Sequence, residues 1–285
     1  MNACPLCRAV QRVTLVRGTR SGDVHRCVSC GFVYSDPRGA PDPGAPPAVV
    51  DDPAAYLANA RDRLAVVARE TGVSRGRLLD VGCYDGAFLL AAQTLGFAGR
   101  GVELDPLGAA RARERGLDVL EGKFETAAFD APFDVVTFIH SLEHFADPLA
   151  ALVRAREWLV PAGALLVEVP NFGAWSRPLL GRRWRQFIAD HDHFFEPFTL
   201  RRCLEDAGFV VRRLAPVGKS LSVRLLADRL GRYYHPRAGR ALAQWAGRHG
   251  LADRRIRLNF GDILLAVAQS PPSRILGVAT PAARV

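Results

Sequence analysis

The stretch Asp80-Val81-Gly82-Cys83-Tyr84-Asp85-Gly86-Ala87-Phe88 decides how this chain is read. It ends an apolar, strand-like run over residues 77–82 and opens a helical pattern over residues 87–95. Glycines at such a turn let the backbone pass close to a ligand, and the helix behind them offers unpaired N–H groups. About twenty residues further on, Gly101-Val102-Glu103-Leu104-Asp105 places an acid at the end of the next strand. A carboxylate there can accept both hydroxyls of a ribose.

Outward from this turn the alternation continues. Residues 99–104 read as a second strand, 106–115 as a helix, 119–121 as a short third strand and 133–139 as a fourth. A helix over 149–159 and a fifth strand over 164–169 follow. Strands alternating with helices at this pitch predict an α/β fold, a doubly wound parallel sheet with helices on both faces. A helix over 54–70, carrying Tyr56, Leu57, Leu64 and Val67 at helical spacing, leads in. After Asn171 an aromatic, Arg-rich insertion runs to residue 198, then a helix over 200–207 and a strand over 209–216. The basic stretch 221–257 spaces Leu225, Leu226, Leu230, Tyr234, Leu242 and Trp245 as one or two amphipathic helices, expected to pack over the cleft rather than lie on a membrane. A last strand is expected over 262–268.

The N-terminal 36 residues have a different grammar. Cys4-Pro-Leu-Cys7 and Cys27-Val-Ser-Cys30 form two C-x2-C knuckles, and short β-like stretches surround them. Two such knuckles can complete a tetrahedron around one zinc ion, and four thiolates leave no open position, so the metal is expected to be structural. The predicted organisation is a zinc ribbon over residues 1–36, a Pro- and Gly-rich linker over 37–53, a main domain over 54–270 and a disordered tail over 271–285. Cys83 and Cys203 read as packed small residues.

With 285 residues, 49% hydrophobic and 24% charged, the composition is that of a globular protein. No run approaches the roughly 20 apolar residues of a membrane span, and no apolar leader opens the chain, so a cytoplasmic protein is expected. The net charge is +9, carried almost wholly by Arg. It suits nucleic acid, anionic small molecules or simply a solvated basic surface.

Asp80, Gly82 and Gly86 match the D/E-x-G-x-G-x-G turn of the class I S-adenosylmethionine methyltransferases, which the chain resembles from about Tyr56 to Val217. Further matches are Phe133-Asp134-Val135-Val136, His140-Ser141-Leu142-Glu143-His144, Asp147-Pro148 and the run from Leu159 to Asn171. Two positions depart from the pattern: Tyr84 replaces the middle glycine, and Lys123 stands where an Asp often reads the adenine. The resemblance implies a Rossmann-like seven-stranded sheet with its last strand antiparallel. It also implies S-adenosylmethionine as cofactor, with the methionine part at Gly82–Gly86 and the ribose on Glu103. Adenine is left to backbone groups near Lys123 and Phe124, and Asp80, Tyr84 and His140 complete the expected cofactor contacts. NAD, the rival for a Gly-turn with an acidic strand end, lacks its full G-x-G-x-x-G here.

A methyl acceptor that must lose a proton needs a base, and His suits that at neutral pH. The expected catalytic residues are Glu143 and His144, beyond the fourth strand, and His191 in Trp184-Arg185-Gln186-Phe187-Ile188-Ala189-Asp190-His191-Asp192-His193. His140 and His193 are more readily structural. Consecutive residues point in different directions, which argues against a catalytic metal held within residues 190–193. Arg182, Arg183 and Arg185 could grip an anionic group. The expected reaction is methyl transfer to a small molecule, and a ribbon beside this core also looks like the sugar C-methyltransferases, whose extra C-terminal domain is missing here. An RNA methyltransferase and a non-catalytic adaptor with a degenerate core are the alternatives.

Overall fold

The computed structural model describes residues 3–36 and 52–272. All but the last two residues of the predicted linker, and all but the first two of the predicted disordered tail, lie outside the described residues.

Three helices of the main domain begin the same way. Asp52, Asp105 and Asp147 each cap a helix by accepting backbone N–H bonds, and a proline follows each at the first helical position. These helices are α1 (Pro53–Thr71), α3 (Pro106–Glu114) and α4 (Pro148–Glu157), with α2 (Ala87–Thr94) opening at the glycine turn. Between them run β4 (Gly76–Val81), β5 (Phe97–Glu103), β6 (Asp118–Glu121), β7 (Phe133–Ile139) and β8 (Leu159–Pro170). The chain continues through α5 (Ser176–Leu180), β9 (His193–Phe194), α6 (Pro197–Asp206) and β10 (Val210–Pro216). It ends with β11 (Lys219–Ser222), α7 (Val223–Tyr233), α8 (Pro236–Arg248), β12 (Arg255–Leu258) and β13 (Ile263–Gln269).

Seven strands join in the order β10-β13-β8-β7-β4-β5-β6. β13 alone runs against its neighbours, and β4 through β8 pair in parallel. This is the doubly wound, seven-stranded sheet with a reversed last strand that the sequence pattern implied. Successive strand residues serve opposite faces. Leu78, Val135, Leu166 and Leu265 pack with Leu64, Val67, Leu89 and Ala109 from α1, α2 and α3. Their chain neighbours Leu79, Val136, Leu165 and Leu264 pack with Ala151, Leu152, Leu200 and Leu204 from α4 and α6.

One expectation needs correction. The basic stretch 221–257 is not helical throughout: its ends belong to β11 and β12, which pair antiparallel from Lys219↔Leu258 to Ser222↔Arg255. Each strand is only four residues long, too short for alternation to stand out against the helical spacing between them. The helices α7 and α8 meet at two glycines, and a Cβ on Gly239 would lie 2.4 Å from the Cα of Gly231.

The N-terminal sheet reaches beyond the residues of the expected ribbon. Its strands β1 (Arg12–Thr19), β2 (Gly22–Cys27) and β3 (Val33–Ser35) are joined by β9, so the order is β1-β2-β3-β9. The fourth strand comes from the aromatic insertion, about 160 residues later, through Val33↔Phe194 and Tyr34↔His193. Val24 and Val33 share a buried cluster with Phe172, Trp184, Phe187 and Phe194.

Candidate active site and metal centre

The glycine turn lies where β4 ends. Gly82 has φ 73°, and a Cβ there would stand 2.6 Å from the Cβ of Ser141. The turn therefore touches the segment that follows β7, and Ser141 Oγ donates to the Val81 carbonyl at 2.5 Å. Tyr84 holds φ 47°, a left-handed conformation that disfavours a bulky residue. Its N–H donates to Glu103 Oε2 at 2.7 Å, and Arg111 donates to its hydroxyl at 3.1 Å. The ring lies against Gly108, over the start of α3.

Glu103 ends β5 with 9% of its surface exposed. Its Oε1 accepts the N–H of Asp105 at 2.8 Å. Each carboxylate oxygen thus takes one backbone donor and keeps a second lone pair, which suits a pair of ribose hydroxyls. The Glu103 carbonyl accepts from Gly122 at 2.8 Å, which brings the loop before Lys123 alongside. Lys123 is exposed, whereas Phe124 is buried with its ring against Phe138 and Phe145. Asp80 is buried and accepts from Thr137 Oγ1 of β7 at 2.6 Å. Burial pushes its pKa up to about 7.

Beyond β7 the expected catalytic residues do converge. Glu143 is fully buried, and among the described residues neither of its oxygens has a donor at hydrogen-bonding geometry. His191 Nε2 lies 3.7 Å and His140 Nδ1 3.5 Å from Glu143 Oε1. His144 is exposed, and its ring stands 4.9 Å from that of His191. Burial opposes ionisation of Glu143, but the surrounding imidazoles outweigh it and bring its pKa down to about 2. Burial takes His191 down to about 4, so its ring is neutral at pH 7. His193, in β9, is buried against Phe32, and among the described residues its Nδ1 has no hydrogen-bond partner. Arg185 pairs with Asp262 at 2.7 Å.

His140 sits differently, at φ 57° and within a charged network that sequence reading missed. Glu168, in β8, meets Arg63 of α1 at 2.6 Å, Lys219 of β11 at 2.8 Å and His140 Nε2 at 3.0 Å. Lys219 also donates to His140 Nε2 at 2.5 Å. Burial works against the Glu168 charge, yet Lys219, His140 and Arg63 hold its pKa well below the usual carboxylate range. Burial lowers Lys219 against the pull of Glu168. A signal existed in the sequence: Glu168 is a lone charge inside an otherwise apolar strand, and such a charge needs partners.

The four cysteines of the knuckles also converge. Cys4 Sγ lies 3.6 Å from Cys30 Sγ, and Cys7 Sγ 3.5 Å from Cys27 Sγ. All four sulfurs fall within 4.8 Å of one another, and none is in a disulfide. A tetrahedral ion with Zn–S bonds of about 2.3 Å sets its sulfurs about 3.8 Å apart.

A seven-stranded sheet with one reversed strand, a Gly-turn after its first parallel strand and a buried carboxylate at the end of its second mark the fold of the class I S-adenosylmethionine-dependent methyltransferases. The profile of the methyltransferase-domain family matches residues 50–214, and the chain belongs to that family. Among its relatives, the ubiquinone biosynthesis O-methyltransferase of Histophilus somni is 30% identical over 162 residues, covering 50% of this chain and 68% of that one. The corresponding protein of Aeromonas salmonicida is 32% identical over 162 residues, covering 51% and 68%. A Haloferax volcanii methyltransferase solved with its Trm112 activator shares the fold, with TM-score 0.53 and 20% identity over 79% of this chain and all of that one. A methyltransferase from Bacillus halodurans does so with TM-score 0.51 and 18% identity, over 74% and 99%. Membership of a methyltransferase family argues against the non-catalytic adaptor.

Proposed function

We propose that this chain methylates a hydroxyl oxygen of a small molecule. The observation that carries this reading is the position of Glu143, buried and, among the described residues, without a donor at hydrogen-bonding geometry, on the segment whose Ser141 touches the Gly82 turn. The O-methyltransferase names of the relatives favour oxygen over the carbon of a sugar.

S-adenosylmethionine supplies an already activated methyl group, so alignment and removal of the acceptor's proton are left to the protein. Gly82, Tyr84 and Gly86 form the turn along which the methionine part lies. Glu103 accepts the ribose hydroxyls, the backbone near Lys123 and Phe124 meets the adenine, and Asp80 ties the turn's strand to β7. His140 orients Glu143 from the Glu168 network. Glu143, His144 and His191 form an anionic and imidazole wall that favours loss of the acceptor's proton. Cys4, Cys7, Cys27 and Cys30 hold a structural zinc ion, in a reducing cytoplasmic setting that keeps them free of disulfides.

Calorimetric titration of the zinc-loaded protein with S-adenosylmethionine and with S-adenosylhomocysteine tests the cofactor, and micromolar binding of both is expected. Absence of binding by a folded protein overturns the reading. Glu103→Ala is expected to weaken both ligands about 10- to 100-fold, through lost hydrogen bonds to the ribose worth about 1.4–2.7 kcal/mol. Salt-sensitive retention of RNA by the same protein would move the acceptor to nucleic acid.

A further inference from the structure

The charges over the end of β8 do not balance. Arg63, Lys219, Arg185 and Arg229 gather there around two carboxylates, Glu168 and Asp262. Glu168 takes Arg63 at 2.6 Å and Lys219 at 2.8 Å, and Asp262 takes Arg185 at 2.7 Å. The Asp262 carbonyl accepts the N–H of Asn171, the residue after β8, so both pairs sit at the same end of the sheet. Arg229, on α7, is half-buried and has no ion pair or hydrogen bond among the described residues. Burial lowers its pKa, and the charge of Arg185 lowers it further. Burial lowers Lys219 as well, and Arg185 and Arg229 both add to that against the pull of Glu168. Four cations facing two carboxylates leave a positive surplus that is only partly hydrated.

Three of these cations keep donors in reserve. Lys219 gives one hydrogen to Glu168 and one to His140, and an ammonium has a third. Arg185 turns Nε and Nη2 to a single oxygen of Asp262, at 2.9 and 2.7 Å, which leaves Nη1. Arg229 keeps its whole fork of N–H groups. The side chains of Lys219, Arg185 and His140 are 23, 24 and 27% exposed, so they face an accessible space rather than packed core. Arg229 lies one helical turn before Tyr233, whose ring stands 5.7 Å from the guanidinium of Arg20 between β1 and β2. That face of α7 therefore looks toward the N-terminal sheet, across the insertion that carries Arg185. Arg182 and Arg183, by contrast, are exposed. A guanidinium fork beside an ammonium is what carboxylate and phosphate groups bind.

The order of the strands sets what is held beside what. β8 lies next to β7, and β7 next to β4. The surplus cations stand over β8, His140 and Glu143 follow β7, and the glycine turn follows β4. Neighbouring strands are about 4.8 Å apart, so an anion over β8 and a hydroxyl over β7 are separated by about 5–10 Å. We propose that Lys219, Arg185 and Arg229 form an anion subsite, and that the methyl acceptor is a small hydroxylated molecule with a carboxylate or phosphate at that distance from its reacting hydroxyl. The acceptor's identity rests on the proposed function, whereas anion binding does not. The subsite gives such an acceptor one orientation, with its charge over β8 and its hydroxyl toward the cofactor turn.

Calorimetric titration of the zinc-loaded full chain with inorganic phosphate and, separately, with benzoate tests the subsite, at an ionic strength held constant with sodium chloride. Saturable binding of one equivalent of at least one of the two anions is expected. Arg229→Gln is expected to weaken it about 10-fold or more, as loss of a charged hydrogen-bond donor does. Arg185→Gln, at a second and partly exposed side chain, is expected to do the same and covers the case in which the first variant does not fold. Phosphate without benzoate makes the acceptor a phosphate ester, and benzoate without phosphate makes it a carboxylic acid. Binding of both supports the shared class. Saturable binding of neither anion overturns the proposal, as does unchanged affinity in the folded variants, which would put the anion elsewhere on the basic surface. Titration of the same protein with S-adenosylhomocysteine separates the two readings. Anion binding without cofactor binding would remove methyl transfer and leave the subsite standing, and cofactor binding without anion binding would do the reverse.

Discussion

The two sheets of this molecule hold functional residues by different means. In the seven-stranded sheet, β4, β5 and β7 each carry a site segment at their C-terminal ends, and their cores alternate face by face. The strands that pair in parallel there all come from one continuous stretch of chain, residues 76–170. The four-stranded sheet is assembled across the chain, with β1 to β3 at the start and β9 in the insertion that carries His191. Ser35 N–H donates to the Asp192 carbonyl at 2.9 Å, Ser35 Oγ to that of His191 at 3.3 Å, and Ser21 Oγ to that of Ile188 at 2.7 Å. Arg26 adds a two-point bond to Glu196 at 2.8 and 2.9 Å, and Arg8 pairs with Asp147. One half of the Glu143–His191 pair is thus set by the main sheet and the other half by the cysteine-bearing sheet.

The largest effect that separates them comes from the knuckles. Structural zinc contributes roughly 10–16 kcal/mol of apparent binding energy in finger peptides, so Cys27→Ser is expected to unfold the N-terminal sheet. Hydrogen exchange is then expected to speed up over residues 188–195 while β4, β5 and β7 stay protected and S-adenosylmethionine affinity holds within about twofold. Equal loss of cofactor affinity would mean that the two sheets are one cooperative unit. The next effect lies on the other side of the comparison. Glu168→Ala leaves Arg63 and Lys219 without their buried counter-charge, and urea unfolding should show a loss of about 3–5 kcal/mol in the main sheet. A loss below 1 kcal/mol would show that water relieves those charges.

Asp80 makes the main sheet pH-sensitive in a way that can be isolated. Its carboxyl has a higher pKa in the folded chain, about 7, than when unfolded, so the folded state holds the proton more tightly. Its contribution is fully present below about pH 4 and is lost as pH rises through about 7. Asp80→Asn should remove that loss, with a gain of about 2–4 kcal/mol over the wild type at pH 8 that vanishes near pH 4. A constant difference across this range would place the Asp80 pKa near its ordinary value.

What could be seen beforehand divides along the same line. The parallel strands, the helices over 106–115 and 149–159 and the turn from Gly82 to Gly86 were legible because each is written in local periodicity or glycines. Convergence of Glu143, His144 and His191 was suggested only through family resemblance, since the three lie on two segments whose approach depends on β3 pairing with β9. That pairing had no local trace: a two-residue strand, His193–Phe194, has no period. Lys219 and Arg63 were missed for a similar reason, because each reads as a surface charge until Glu168 is seen between them. Tyr84 was noted as a departure, and its left-handed backbone shows that the turn keeps a glycine-like conformation without the glycine.

The smallest effect sharpens the comparison most finely. The Arg26–Glu196 pair is partly exposed, with about a third of the Arg side chain in solvent. Arg26→Ala should therefore cost only about 1 kcal/mol of stability, since solvent screens the pair. Yet Glu196 caps α6 immediately after β9, and its bond to Arg26 fixes where that strand leaves the N-terminal sheet. Loosening it lets His191 drift relative to Glu143 while the main sheet stays as it was. Turnover is then expected to fall severalfold with unchanged S-adenosylmethionine affinity, because alignment is sensitive to displacements of 1 Å. If turnover follows only the small stability loss, the N-terminal sheet holds the insertion in place without tuning the site.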